Sequence, residues 1–492
     1  MLEYIDNHIA QNSAKPILSA KHISLQTTTT PATLFAHFAN TPWSMWLDSS
    51  NSEHIDSRFD IIVWQPIATL VTQGNNTKIS ILTKNAQLKQ SLTSTDDPLA
   101  LIETLQKKLF NSDTKPDSQL PFLGGAMGYL SYDLGRRFEK LPKTTTQDIN
   151  LPEMAMGLYN KAIIFDKTTQ QFFLLCDETQ RKSLEDMFIN LTKTPAQHND
   201  KFQLKSTWQA NMSKANYLKK FAQVQEYLLS GDCYQINLAQ RFSADYQGSE
   251  FDAYLALRAA NKAPFSAFIR LENATILSVS PERFLRLSAG NVQSKPIKGT
   301  MPRSNDAIKD AENAALLKKS SKDSAENLMI VDLLRNDISR SCKPGSVNVP
   351  KLFDIESFPA VHHLVSTVEG TLADSKYATD LLRGAFPGGS ITGAPKIRAM
   401  EIIDELEPHQ RSVYCGSIGY LSNCGTMDTS ITIRTLVCQT NNVAETSKLP
   451  NKVLHCWAGG GLVADSTAAS EYQETLDKVN CILPVLSKLN QV

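Results

Sequence analysis

Apolar positions at Tyr217, Phe221, Val224 and Leu228 recur every three or four residues. That spacing predicts an amphipathic helix, with Ser213 as its N-cap and Gly231 as its stop. Elsewhere the pattern is of strand type. Residues 59–64 and 172–175 are short apolar and aromatic runs, predicted as strands, and residues 233–238 form another just after the helix. Residues 428–435 alternate strictly and predict a strand. Asp428, Ser430, Thr432 and Arg434 would share one face, and Thr429, Ile431 and Ile433 the other. Residues 123–129 predict a Gly-rich turn, and residues 1–40, with a Thr27 to Thr30 tract, an irregular segment. Residues 193–206 have linker composition, and the polar residues 439–452 predict a hairpin loop too long to be tight. Beyond Ser213 strands and helices alternate to about Leu486, without an internal repeat. The expected organisation is a first unit over 15–192, a linker over 193–212 and a second unit over 213–486.

Composition narrows the class. The 492 residues are enough for about three average domains by length. They are 41% hydrophobic, with 50 Lys plus Arg against 50 Asp plus Glu. A zero net charge leaves no electrostatic footprint for nucleic acid or an anionic membrane. No apolar run approaches the ~20 residues that span a bilayer. The start, Met1-Leu2-Glu3-Tyr4-Ile5-Asp6, has neither the basic nor the apolar region of a secretory signal. Eight cysteines without a C-x-x-C pair argue against zinc and are too sparse for a disulfide framework. Reduced thiols and a cytoplasmic location are the expectation.

The chemistry concentrates in five segments. Lys298 lies in Pro296-Ile297-Lys298-Gly299-Thr300, among small and apolar side chains. Partial desolvation there would lower its pKa and make it a nucleophile or base, where an ordinary turn lysine is only a solvated charge. Near the C-terminus, Gly459, Gly460 and Gly461 let backbone amides approach an anion, and the helix after them puts Glu471, Glu474 and Lys478 on one face. An exposed charged stripe would show the same spacing. Glu326 precedes an apolar run. It is either a carboxylate near a helix N-terminus or a partner of Glu471 and Glu474 in a Mg2+ site. Residues 386–396 are a Gly-rich loop entering a helix, with Ser390 or Thr392 as its cap. Lys396 is three residues past Gly393 and no Ser or Thr follows it, so a Walker A reading fails. Arg434 on a polar strand face suits a carboxylate, although such a face can also meet solvent. Glu282, after the apolar Ile276, Leu277 and Val279, is a candidate buried acid. His362 and His363 sit among apolar residues, where core histidines are common.

Taken together these segments resemble the chorismate-utilising enzymes, among them anthranilate synthase component I, aminodeoxychorismate synthase component I, and the isochorismate and salicylate synthases. The similarity covers residues 213–486 and reaches the first half through Ser57-Arg58-Phe59-Asp60 and residues 132–137. It implies an α+β fold of two interleaved domains with antiparallel β-sheets packed with helices. Anthranilate synthases carry alanine in the motif around Lys298, and the lysine form is similar to the aminodeoxychorismate synthases. Isochorismate and salicylate synthases place a water-activating lysine in the 231–240 segment, matched here to Asn237, so water attack is disfavoured.

The resemblance implies amination of chorismate at C4 to 4-amino-4-deoxychorismate, in p-aminobenzoate and folate synthesis. It assigns Lys298 as nucleophile at ring C2, and Glu282 as the acid that protonates the departing hydroxyl. Glu326 and Glu474, with Glu471, would hold Mg2+. Arg434, Lys478, Gly460 and Gly461 would bind the substrate carboxylates, with His363, Thr392 and Asn237 near the ring. A separate glutamine amidotransferase subunit is the expected ammonia source, because no G-x-C-x-G nucleophile is present and Cys415 lies in a different context. Ser49 matches the serine of the family's tryptophan pocket, while Trp46-Leu47-Asp48 departs from the rest of that motif.

Overall fold

The computed structural model describes residues 15–50, 52, 54–82, 88–111, 120–196, 200–357, 361–441 and 451–489. Two large sheets built of antiparallel pairs organise them, one of 13 strands and one of 12. The first runs, edge to edge, from Leu18–Ile23 through Gln171–Asp177, Ala162–Asp166, Phe59–Val63, Met45–Asp48, Phe265–Arg270, Ala274–Ser280, Thr435–Asn441 and Asn451–Leu462 to Gln235–Gln247 and Gln203–Leu204. The second carries Ile297–Pro302, Val361–Thr371, Arg283–Ser288, Met427–Ile431 and Ser417–Ser422, and then five strands from the first half of the chain. Each sheet therefore joins strands from both sides of the 193–212 segment. This is the interleaved α+β architecture that the resemblance implies.

Burial explains the layering. One core cluster fills the space between the sheets, with Met127, Tyr129, Phe284, Ile330, Ile418 and Trp457 among its members. A second covers the outer face of the first sheet, where Phe35, Phe188, Phe251 and Leu486 come from helices. Fully burying side chains of this size contributes roughly 1.5–3 kcal/mol each.

Local expectations hold in part. The helix over Lys214–Leu229 is capped by the Ser213 hydroxyl, which accepts from the Asn216 amide at 3.2 Å, and Gly231 follows at φ +81. Phe59–Val63 and Gln171–Asp177 are strands. Residues 123–129 are not a turn: Gly125–Leu130 is a fully buried strand of the second sheet. Its glycines serve close approach instead, since a Cβ on Gly128 would collide with the Ala155 carbonyl oxygen. The first forty residues are not all irregular either, because Leu18–Ile23 is an edge strand and Thr30 caps a short helix over Pro31–Phe35. The polar loop expected over 439–452 falls mostly on 442–450, outside the described residues; its flanks pair antiparallel from Leu436↔Cys456 to Asn441↔Asn451. All eight cysteines are free thiols, and among the described residues no helix is long and apolar enough to cross a membrane.

Candidate active site

Glu282 and Arg434 sit where the chain passes from one sheet to the other. Ala274–Ser280 belongs to the first sheet and Arg283–Ser288 to the second, so Pro281 and Glu282 make one crossing. Met427–Ile431 belongs to the second sheet and Thr435–Asn441 to the first, so residues 432–434 make the other. This breaks the single strand expected over 428–435, and Arg434 takes φ +50 at the corner. The crossings are tied together. The Ile431 amide donates to the Glu282 carbonyl and the Val279 amide to the Arg434 carbonyl, both at 3.1 Å. The Ser280 hydroxyl donates to the Ile431 carbonyl at 2.6 Å. The polar face is largely withdrawn from solvent: Ser430 and Thr432 are buried, and the partly buried Asp428 pairs with Arg283 at 2.9 Å.

Lys298 lies in a bulge rather than a turn. Its strand, Ile297–Pro302, pairs with Val361–Thr371, and the register slips between Ile297 and Thr300. Gly299 takes φ +79, and a Cβ there would come within 2.9 Å of Leu317 and Asp323. The amine is not isolated among apolar groups. Its Nζ pairs with Glu326 Oε2 at 2.9 Å, and that carboxylate comes from the second turn of the helix Ser321–Ser339. On another side stands Gln235. A Cβ on Gly461 would lie 2.8 Å from both Lys298 Nζ and Gln235 Nε2, so this glycine leaves room for the two to converge. Gln235 is 1% exposed, and neither end of its amide has a hydrogen-bond partner among the described residues.

The C-terminal glycines are strand residues, with Asn237 opposite Gly461 and Leu238 opposite Gly460. The helix Ala468–Val479 leans across them. A Cβ on Gly460 would stand 3.1 Å from Glu471 Oε2 and 3.5 Å from Glu474 Oε1. Glu471 is 2% exposed, which rules out the charged-stripe alternative for it. Its Oε1 accepts from Ser466 at 2.7 Å, while its buried Oε2 has no partner among the described residues. Burial first, and then the nearby Glu474 and Glu326, push its carboxyl upward. Glu474 moves the other way: burial is outweighed by Lys478, Lys298 and Lys322. Lys478 pairs with Glu474 at 2.6 Å and donates to the Gly459 carbonyl at 2.8 Å. Lys322 lies 3.8 Å from Glu326 Oε1 and 3.7 Å from Glu471 Oε1. The unpaired buried oxygen and the hard carboxylate donors fit a Mg2+ ion. Among the described residues, however, no three acidic, His or Cys side chains are already gathered at ligand spacing.

Glu282 is 5% exposed. Burial pushes its carboxyl up to about 7, against the Ser390 hydroxyl and the charges of Lys298 and Lys478. Ser390 Oγ donates to Glu282 Oε1 at 2.9 Å and does not cap the next helix. Thr392 does not cap it either. It is fully buried and donates to the Gly388 carbonyl at 3.0 Å, so its hydroxyl is turned away from a ring site. His363 is buried, with Nδ1 2.9 Å from the Thr300 hydroxyl, and burial plus the Arg434 charge lower it to about 3, leaving a neutral ring. The Arg434 guanidinium has no carboxylate partner among the described residues, and its charge falls on His363. His362 is spent on Ser357 and Asp310. Asn237 is held by Arg411, whose Nη2 donates to its side-chain oxygen at 3.2 Å and its carbonyl at 2.8 Å.

The model of the chorismate binding enzyme family matches residues 44–484. The chain belongs to that family. It is 52% identical over 459 residues to aminodeoxychorismate synthase component 1 of Escherichia coli K12, covering 92% of this chain and 95% of that protein. Anthranilate synthase component 1 of Thermus thermophilus is 36% identical, over 79% of this chain and 82% of its own. Among solved structures, anthranilate synthase component I from Streptococcus pneumoniae TIGR4 superposes with a TM-score of 0.73 at 30% identity, covering 87% of this chain and 93% of that one.

Within this chorismate-binding fold, Lys298, Glu282, Glu326, Glu471, Glu474 and Lys478 are gathered about Gly460 and Gly461, with Arg434 and His363 alongside. Asn237 and Thr392 are spent on the scaffold. Gln235 was legible only as the second neighbour of Asn237 on the same strand face. Ser390, Ser466 and Lys322 gave no chemical signal of their own, although Ser390 lies in a loop already marked by its glycines.

Proposed function

We propose that this chain is the chorismate-aminating component of an aminodeoxychorismate synthase, a transferase acting in p-aminobenzoate and folate synthesis. The observation that carries the reading is Lys298, partly buried at a strand bulge against Glu326 and Gln235 and within electrostatic reach of the buried acid Glu282. The likeness to aminodeoxychorismate synthase component 1 supports it.

In its neutral form the Lys298 amine bonds to ring C2 as the two ring double bonds shift and the C4–O bond breaks. The hydroxyl leaves as water, with a proton from Glu282. Ammonia then bonds to C4 as the C2–N bond breaks, and the amine returns to Lys298. A carboxyl held near neutrality suits the acid's task. Arg434 and Lys478 hold the substrate carboxylates, while the neutral His363 adds bulk and polarity without charge. Glu326, Glu474 and Glu471 would hold Mg2+, which when bound disperses charge on the ring carboxylate. Lys478 neutralises one of those carboxylates from the protein side, and Lys298 another for as long as it is protonated.

A separate glutamine amidotransferase supplies the ammonia. The relative's designation as component 1 supports a partner. A cavity between the sheets, lined by Leu47, Asp48, Phe59, Phe265, Ile418 and Tyr420, is the candidate for tryptophan. Ser49 lies beside it, and its amide and hydroxyl both donate to Asp60, at 2.7 and 3.0 Å.

The test is a product assay with purified protein, chorismate, Mg2+ and ammonium. The expected product is 4-amino-4-deoxychorismate, which an added lyase converts to p-aminobenzoate. Anthranilate or isochorismate as the main product would overturn the reading.

A further inference from the structure

The side chains of the Gly-rich loop at 386–396 serve a task other than capping the next helix. The short turn Gly389–Ile391 lies flat against two elements of the site. A Cβ on Gly388 would stand 2.8 Å from Ile431 and 3.3 Å from Phe284, two residues past Glu282. A Cβ on Gly389 would collide with Leu333, on the helix that carries Glu326. The two glycines thus permit an approach that side chains would block. Thr392 Oγ1 closes the turn by donating to the Gly388 carbonyl at 3.0 Å, with the Gly389 carbonyl at 3.3 Å. The result of this packing is one contact with the chemistry: Ser390 Oγ to Glu282 Oε1 at 2.9 Å.

We infer that Ser390 is a positioning residue: its hydroxyl fixes the Glu282 carboxyl and, by donating to Oε1, leaves the transferable proton to Oε2. This rests on the proposed role of Glu282 as the acid. A neutral carboxyl has one O–H donor and one oxygen that only accepts. A hydroxyl that donates to one oxygen therefore selects the other as proton carrier. Because the bond also favours the ionised form, its loss should raise the carboxyl pKa.

The experiment follows kcat and KM for chorismate across pH, at a fixed concentration of free ammonia, for the wild type and for Ser390→Ala, Ser390→Thr and Glu282→Gln. Ser390→Ala is expected to lose on the order of 10-fold in kcat, part of the ~10²–10⁴ that a general acid contributes, with KM nearly unchanged. The alkaline fall of its kcat profile should move upward by about one pH unit. Ser390→Thr, which keeps a hydroxyl, should restore the wild-type limb. Thr392→Val, which loosens the turn without touching Glu282, should show the same upward shift in weaker form, and it stands in should Ser390→Ala not fold. A wild-type limb and kcat in Ser390→Ala would overturn the inference, as would a loss carried by KM alone. Glu282→Gln separates the two levels. If it keeps full activity the acid assignment itself fails, whereas an inactive Glu282→Gln beside an unaffected Ser390→Ala removes only the role of Ser390.

Discussion

Glu282 carries a pH dependence that can be measured in two ways. Burial raises its carboxyl from 4.5 to about 7. In its proposed role as the acid it acts while protonated, so the rate should fall as pH rises through about 7. Stability has the same sign for a different reason. Between about 4.5 and 7 the folded protein keeps a proton that the unfolded chain gives up, so this group's contribution is full below that window and is lost as pH rises through it. Glu282→Gln should therefore raise the melting temperature relative to wild type at pH 8 but not at pH 5, for a difference on the order of 2–3 kcal/mol. Equal shifts at both pH values would refute this account. Lys298 is the complementary case. Lys298→Ala should lower formation of the 4-amino product by at least about 10²-fold. Intact-mass measurement of wild type quenched during turnover should show a chorismate-derived adduct on Lys298. Undiminished activity in the variant would exclude the nucleophile role.

At the level of elements, the strand pair Gln235–Gln247 and Asn451–Leu462 brings the C-terminal glycines under the helix Ala468–Val479. Gly461→Ala would put a methyl 2.8 Å from both Lys298 Nζ and Gln235 Nε2. The expected outcome is a folded protein, by circular dichroism, with kcat/KM down about 10²-fold, since misplacing reacting groups by about an ångström costs that much. Remote from the site, Ser213→Ala removes only a helix cap and should cost about 1 kcal/mol in urea unfolding without changing KM. Elements with a local cause were legible in the sequence. The Ser213 helix has its cap, period and stop within nineteen residues, and Gln171–Asp177 has its apolar run. The strand at Gly125–Leu130 was hidden because its glycines answer a tertiary need, the close approach of Ala155. The break at residues 432–434 was hidden because alternation continues through it, while the chain changes sheets.

For the whole molecule, each sheet takes five strands from the chain before residue 193 and the others from beyond it. A fragment over 207–492 would leave both sheets with long unpaired edges and half of the inter-sheet core exposed. It should be insoluble or unfolded when expressed alone, and a cooperative melting transition in that fragment would contradict the interleaving. The full chain should use ammonium but not glutamine, and gain glutamine-dependent activity only when an amidotransferase subunit is added. Glutamine-dependent turnover by the purified chain alone would remove the need for that partner.

Sequence alone determined the residue types of the proposed chemistry and their order: a lysine between Ile297 and Gly299, an acid after an apolar strand, and carboxylates at Glu326, Glu471 and Glu474. These signals are local, because the motif, the helical spacing and the strand pattern each lie within about a dozen residues. Only the tertiary structure decided which groups meet. Gln235 and Asn237 share a strand face by the period of two, so no pattern separates them. Arg411, from a distant loop, captures the Asn237 side chain and leaves the Gln235 amide beside Lys298. Glu326 became the partner of Lys298 through helix packing across 28 residues of chain. Ser390 reached Glu282 across 108, because two glycines let its turn lie against Phe284 and Leu333.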